Sequence, residues 1–325
     1  MAKELRKRYA QIYRSLGRAE LQRNPPEEAL DLNSIFEVKQ GYWLGFYTAD
    51  GLTHALERYG FWERLRRLGY ESFRIELNTQ EAHEHIFRLM SDVPKIPEPL
   101  VEVVAHQSRL NLSRELLEQL DVSHWSILAI EWLLLQHPLR RFDPTQSPLP
   151  GQNAPGLGMG RDVFELLRNS CKRLKLDGMV VVPSYPHNAL FYSDYFNYCD
   201  PHYAGMFDAL RRDFLEGKKG AQLRRAVLHL TWGVRWGMIM HEHDTLTTAF
   251  DWFHEPMVSA TSAKSRDLFQ GAWYTQERAR AGSEHSFATD HELLSERLRE
   301  AGIAPYDEQR FETWRQKNEA QPTQG

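Results

Sequence analysis

The chain has 325 residues, 42% hydrophobic and 26% charged, with a formal net charge of -4, a composition that folds as a globule and gives no reason to expect nucleic acid or an acidic membrane as partner. Its two cysteines, Cys171 and Cys199, are too few for a disulfide framework and fit a reducing compartment. The apolar run around Leu133 contains Glu131 and is too short to span a bilayer, and the opening Met-Ala-Lys-Glu-Leu-Arg-Lys-Arg has no apolar signal core, so a cytoplasmic protein is expected.

Residues 2–23 place Leu5, Tyr9, Ile12, Tyr13 and Leu16 on one face of a helix, among Lys3, Arg6, Lys7, Arg14 and Arg18. A helix docked on its own domain with a solvated basic face is the plainer reading, and an arm for a partner or a membrane surface is the alternative. Residues 35–48 are dense in aromatic and β-branched residues, which predicts a strand with a bulge, or a hairpin, at Gly41 and Gly45. A helix is expected over 53–68, stopped by Gly69, then a strand over 70–77 with one wet face. Residues 79–90 read as a helix on which His83 and His85, two apart, point to different faces and cannot pair on a metal. After a proline-rich linker at 94–99 come a strand over 100–107 and a helix over 114–120. Residues 127–136 are apolar on both parities, as a central strand covered on both faces should be, which makes Glu131 conspicuous.

A proline- and glycine-rich loop follows and ends Pro155-Gly-Leu-Gly-Met-Gly160. It feeds a helix over 161–175, a strand over 179–183 and a short helix within 185–196. A helix opening out of a glycine loop presents bare N–H groups and the positive end of its dipole, which suits a phosphate. The dinucleotide fingerprint does not fit: it needs G-x-G-x-x-G directly after a strand, and here G-x-G-x-G lies about twenty residues beyond one. Further on, a helix is expected over 204–216. Residues 228–240 are apolar at every second position, which predicts a strand, or two strands bent at Gly233 and Gly237, with 249–258 as partner. A helix over 290–301, ended by Gly302, and a frayed tail at 318–325 close the chain. A weak boundary at 217–220 divides it into an N-terminal arm (1–33), a middle domain (34–216) and a C-terminal extension (217–325).

Several side chains carry candidate chemistry. His241, Glu242, His243, Asp244 and His254 could bind a metal, but no third ligand stands at a recognised spacing, so no metal is expected. His187 is a substrate contact or a capping histidine, and Cys171 reads as core. Glu131 could act as a general base, its pKa raised by burial beside Trp132, or could simply be a paired glutamate on a strand.

The strand, glycine loop, helix and strand resemble the GNAT (GCN5-related N-acetyltransferase) superfamily. Gly158 and Gly160 take the glycine positions of its Gln/Arg-x-x-Gly-x-Gly/Ala pattern, and Val163, Phe164 and Leu167 match the buried face of its helix. The run Asn188-Ala-Leu-Phe-Tyr-Ser-Asp-Tyr-Phe196 is similar to its later Asn-Ala-Tyr-Phe helix. Pro155 stands where the pattern has a basic or amide residue, with Gln152 just upstream, and Tyr195 replaces a glycine. The resemblance implies a mixed α/β (α+β) fold, a mostly antiparallel sheet flanked by helices, here with a C-terminal extension. It implies acyl transfer from acetyl-CoA, or another acyl-CoA, to an amine on a small molecule or a protein, with no metal and with a homodimer left open. Gln152, Gly156, Gly158, Met159, Gly160, Arg161 and Asn188 would bind the cofactor, and the edge carrying Trp132, Leu133 and Leu135 would hold its pantetheine arm. Glu131 would take the amine proton and Tyr192 would protonate the thiolate. A non-catalytic binding or assembly protein on the same fold is the alternative, and a metal-dependent hydrolase built on the histidines a further one.

Overall fold

The computed structural model describes residues 2–24, 41–81, 83–92, 96–120, 124–143, 146–243 and 245–303. Residues 35–40 of the first expected strand, 94 and 95 of the linker, Asp244 and the tail lie outside the described residues. In chain order the elements are α1 (Ala2–Ser15), α2 (Arg18–Leu21), α3 (Ala49–Tyr59), α4 (Phe61–Arg67), β1 (Phe73–Glu81), β2 (Glu84–Ser91), β3 (Val101–Asn111), α5 (Arg114–Gln119), β4 (His124–Leu135), α6 (Gly160–Arg173) and β5 (Gly178–Val181). They continue with α7 (Pro186–Tyr192), β6 (Asn197–Tyr198), α8 (Pro201–Leu215), α9 (Gly220–Arg235), β7 (Met240–His243), β8 (Leu246–Ala249), β9 (Met257–Ala260), α10 (Ala263–Gln270), α11 (Ala272–Glu284), β10 (His285–Ala288) and α12 (His291–Glu300). The protein is a mixed α/β fold with a mostly antiparallel sheet flanked by helices, as expected. Among the described residues, no helix is long and apolar enough to cross a membrane.

The chain forms two compact units, each built from more than one stretch. The first comprises 1–139, 156–181 and 258–268; the second comprises 140–155, 182–257 and 269–325, so the sequence boundary at 217 falls inside it.

In the first unit, β1 to β4 pair antiparallel in order, and β4 pairs parallel with β5. The helix α6 supplies the crossover that a parallel pair requires and buries Val163, Phe164, Leu167 and Cys171. The basic N-terminal helix docks on its own unit. Tyr9, 1% exposed, donates its hydroxyl to Asp162 Oδ1 at 2.7 Å, and Arg6 Nε donates to Glu165 Oε1 at 2.7 Å.

Four expectations are corrected. The helix over 53–68 is two helices, because Gly60 adopts φ +80° at the junction, a left-handed conformation that glycine takes without steric cost. Residues 79–90 are not a helix: a turn leads into β2, whose His85, Phe87 and Leu89 are buried at alternate positions between β1 and β3. Residues 228–240 are not a strand but mostly α9. Ala226, Leu230 and Gly233 are buried at helical spacing, and Trp232 and Trp236, four apart, bring their ring centroids to 5.0 Å. The partner expected at 249–258 is also redistributed: β8 and β10 flank β7, and β9 lies beside β5.

The second unit packs Leu228 of α9 against Leu294 and Leu298 of α12 and Ile303, with Leu149 and Trp232 at the margin. Its tightest approach joins α8 to α11. A Cβ on Gly205 would lie 2.3 Å from Arg278 O and 2.7 Å from Ala281 Cβ, and Arg278 grips Asp208 beside it with bonds of 2.6 and 2.8 Å. Gly205→Ala should therefore force these helices apart and cost about 1–3 kcal/mol by overpacking. Gly282→Ala, whose Cβ would meet Gly205 O at 3.3 Å, should cost less. Chemical denaturation of both variants reads the difference, and an unchanged midpoint for Gly205→Ala would contradict the packing described.

Candidate functional site

The site in the first unit begins with an irregularity in β4. Val104 pairs with Trp132, but its neighbour Ala105 pairs with Ile130, so Glu131 is an extra residue in the ladder. Such a bulge bends the strand and raises its twist. At the same place the parallel partner ends, with Ile130 opposite Val181 the last pair between β4 and β5. Residues 127–130 are buried, whereas Glu131 and Trp132 are exposed and Leu133, Leu134 and Leu135 half-buried. Beyond Ile130, the β5-facing edge of β4 carries no strand among the described residues.

The central strand is thus covered on both faces only in its first half. The buried surroundings expected for Glu131 are not found, since its side chain is 61% exposed. Glu131 Oε1 lies 3.9 Å from His106 Nδ1, beyond hydrogen-bond length, and that buried nitrogen has no hydrogen-bond partner among the described residues. The His83 ring stands 6.4 Å from that of His106. His83 lies in the turn before β2, exposed, and His85 is buried within that strand. Sequence reasoning missed His106 because nothing in its own strand sets it apart; only the β3–β4 register brings it near Glu131.

The glycine loop arrives beside the end of this strand. A Cβ on Gly156 would lie 3.6 Å from Leu135 O. Pro155, Leu157 and Met159 are buried while Gly156 and Gly158 are exposed, so the apolar residues anchor the loop and the glycines face outward. Gly158 has φ +70°, and no atom stands within 4 Å of a Cβ built there or on Gly160. The helix α6 starts at Gly160, and its N-cap, Met159, offers no side-chain acceptor to the first turn. Arg161 is exposed at that end. Arg64, from α4, donates to Gly158 O at 3.4 Å and pairs with Asp162, placing a guanidinium at the loop. Its distance in sequence from the glycines left it unread.

Of the expected residues, Glu131, Trp132, Leu133, Leu135, Gly156, Gly158, Met159, Gly160 and Arg161 lie in the first unit, and Gln152, Asn188 and Tyr192 in the second. The Gln152 carboxamide accepts from Leu149 N at 3.2 Å, within its own loop. Asn188 sits in the first turn of α7, its N–H bonded to Tyr185 O at 3.0 Å. Tyr192 ends that helix, and burial pushes its hydroxyl up to about 12, so it remains protonated at neutral pH. His187 is 2% exposed and stacks on Tyr185 with centroids 5.5 Å apart.

The second unit also gathers histidines. His241 and His243 share β7, and His241 Nε2 hydrogen-bonds His285 Nδ1 of β10 at 2.8 Å. The His285 ring lies 4.5 Å from His243 and 5.2 Å from His202. His254 is exposed. Among the described residues, no group of three or more His, Cys, Asp or Glu is arranged to hold a metal ion.

No protein-family model matches the chain, and no curated protein matches it. Among solved structures it is similar to AtaT complexed with acetyl-methionyl-tRNAfMet, at 11% identity and a TM-score of 0.24, over 47% of this chain and 78% of that one. A likeness at that level carries no argument, and the site is read from its own geometry.

Burial, assisted by neighbouring cations or histidines at the latter two, holds His187, His229 and His285 down to about 4, against about 6.5 in an unfolded chain. Between those values the unfolded chain binds more protons than the folded one. Stability is therefore full above about pH 6.5 and falls as the pH drops toward 4, by up to about 1.4 kcal/mol per pH unit for each histidine. Urea melts at pH 7.5 and 5 should show His187→Gln losing less stability than wild type over that interval. An equal loss would contradict a neutral buried His187.

Proposed function

We propose that the chain is an acyl-CoA-dependent N-acyltransferase, with acetyl-CoA the expected donor and an amine the acceptor. One observation carries this reading: β4 parts from β5 at a bulge, and a glycine loop returns beside its free edge into an uncapped helix. Those features are complementary to the two ends of a coenzyme A arm. The free edge around Trp132, Leu133 and Leu135 offers backbone groups to the pantetheine amides, as a sheet edge does to an added strand. The amides from Gly156 to Arg161, with the α6 dipole behind them, suit the pyrophosphate, and Arg64 adds a charge close by. Gln152 and Asn188 are carried into the cofactor site by the resemblance alone.

In the proposed reaction the acceptor nitrogen attacks the thioester carbonyl, forming the C–N bond as the C–S bond breaks. Glu131 takes the amine proton, directly or through water, with His106 beside it. Tyr192, whose role rests on the resemblance, donates its hydroxyl proton to the thiolate. The histidines of the second unit take no part, and the metal-hydrolase reading has no donor set among the described residues.

Gly158→Val tests the anion site. A Cβ there meets no neighbour within 4 Å, but a residue other than glycine in a left-handed conformation costs roughly 1–2 kcal/mol, and its bulk would stand over the exposed amides. The variant should remain folded and lose acetyl-CoA binding by calorimetry. If wild type gives no heat with millimolar coenzyme A, the acyltransferase reading fails and a non-catalytic binding protein replaces it.

Tyr192→Phe separates catalysis from binding. It keeps the ring and removes the proton, so turnover should fall about a hundredfold to ten-thousandfold with melting temperature and acetyl-CoA affinity retained. Undiminished turnover with a lower melting point would make Tyr192 structural.

A further inference from the structure

The small sheet of the second unit runs β10-β7-β8, with β7 in the middle. Its two outer edges differ. Phe250 N donates to Ile239 O at 2.8 Å, one pair beyond the β7–β8 ladder. In the alternation of an antiparallel pair, Thr248 and Leu246 then also bond inward, and the N–H and C=O groups of Thr247 and Ala249 point outward. Across β7 the same alternation turns His285 and Phe287 outward on β10. That edge is occupied from α8: Asp213 Oδ2 accepts from Phe287 N at 2.8 Å, and Arg212 Nη2 donates to His285 O at 2.9 Å. On β8 all four residues are exposed, Leu246 by 69%, and among the described residues no strand pairs with its outer edge. The strand, Leu-Thr-Thr-Ala, has no charge, no proline and an unbroken register on β7. Charge, proline and bulges are three of the devices that keep an open edge from pairing.

We propose that β8 pairs antiparallel with β8 of a second copy of this chain, joining the two small sheets across a two-fold axis at Thr248. Thr247 then exchanges both of its outward bonds with Ala249 of the second copy, and Ala249 with Thr247, so every outward group of β8 is used. A register centred between two residues would set outward groups against inward ones. One centred on Thr247 or Ala249 would need residues outside β8. The strand is thus complementary to itself, and it brings no charge of its own to the axis. Glu242, opposite Thr247 on β7, would stand about three strand spacings from its counterpart, roughly 14 Å, beyond the screening length of physiological salt. Leu246 and Thr248 share a face, so pairing gives the exposed Leu246 a diagonal neighbour in Thr248 of the second copy. Two four-residue strands cover less than the roughly 800 Å² per partner of a standard interface, so the dimer is weak, with a Kd on the order of 100 µM. The pairing does not depend on the acyl-transfer reading.

Sedimentation velocity of the full chain from about 10 µM to about 1 mM should show monomer giving way to dimer as the concentration rises. Thr248→Glu would set two like charges opposite each other at the axis and should weaken association roughly tenfold; Thr248→Lys replaces it if that variant does not fold. Single added cysteines read the register, since Cys171 and Cys199 are buried. Thr248 would face its counterpart as a non-hydrogen-bonded pair with Cα atoms about 4.5 Å apart, within disulfide reach. The two Thr247 Cα atoms would be roughly 8 Å apart, beyond it. With oxidised glutathione, at concentrations where the dimer forms, Thr248→Cys should give a disulfide-linked dimer at least about tenfold faster than Thr247→Cys. The proposal is overturned if the chain stays monomeric up to about 1 mM, whatever else then covers β8. It is also overturned if Thr248→Glu dimerises like wild type, which would place the interface elsewhere, or if Thr247→Cys cross-links as fast as Thr248→Cys.

Discussion

The geometry of the first unit depends on one extra residue in one ladder. Glu131 has no partner on β3, so β4 must bend where β3 does not. The bend coincides with the loss of β5 beyond Ile130 and with the change from buried to exposed side chains. The bulge also determines what Glu131 can do. A carboxylate at a regular central position would be buried at a high desolvation cost, whereas here it faces solvent beside His106.

The second organising element is α6, which meets two opposed demands. Its N-terminus must stay open if it is to receive an anion, yet its first turns bury two carboxylates, Asp162 at 4% and Glu165 at 2% exposure. Each is tolerable because it is bonded: Asp162 to Tyr9 and Arg64, Glu165 to Arg6. Burial, with Asp162 as its largest electrostatic neighbour, pushes the Tyr9 hydroxyl well above the ordinary tyrosine range, so it stays a donor. Three long-range contacts therefore fix the helix from α1 and α4 and leave Gly158 and Gly160 open.

Legibility from sequence followed the range of the contacts. The glycine loop, α6, β5 and α12 could be read because their signals are local: glycines with open space, a helical apolar stripe, an Asp290 cap that accepts from Glu292 N and Leu293 N. The segments misread were those whose pattern satisfied two periods at once. From 228 to 240 apolar residues recur at every second position, but Ala226, Leu230 and Gly233 also fall on one helical face, and packing against α12 selects the helix. At 84–91 the pairing with β1 and β3 overrides a helical reading. Arg64, Tyr9 and His106 were not legible as site residues, since each acquires its place through a partner tens of residues away.

The histidines of the second unit are held by contacts to one another and to aromatic rings. The contact between His241 and His285 is a hydrogen bond, one ring donating and the other accepting. Their nitrogens stand 2.8 Å apart. His241 also stacks on Phe287 at 4.7 Å and meets Phe250 at 5.8 Å. Burial and the other histidines depress protonation at His241 and His285, which keeps that hydrogen-bonded pair neutral at neutral pH. That bond adds a side-chain link between β7 and β10, which already pair through their backbones.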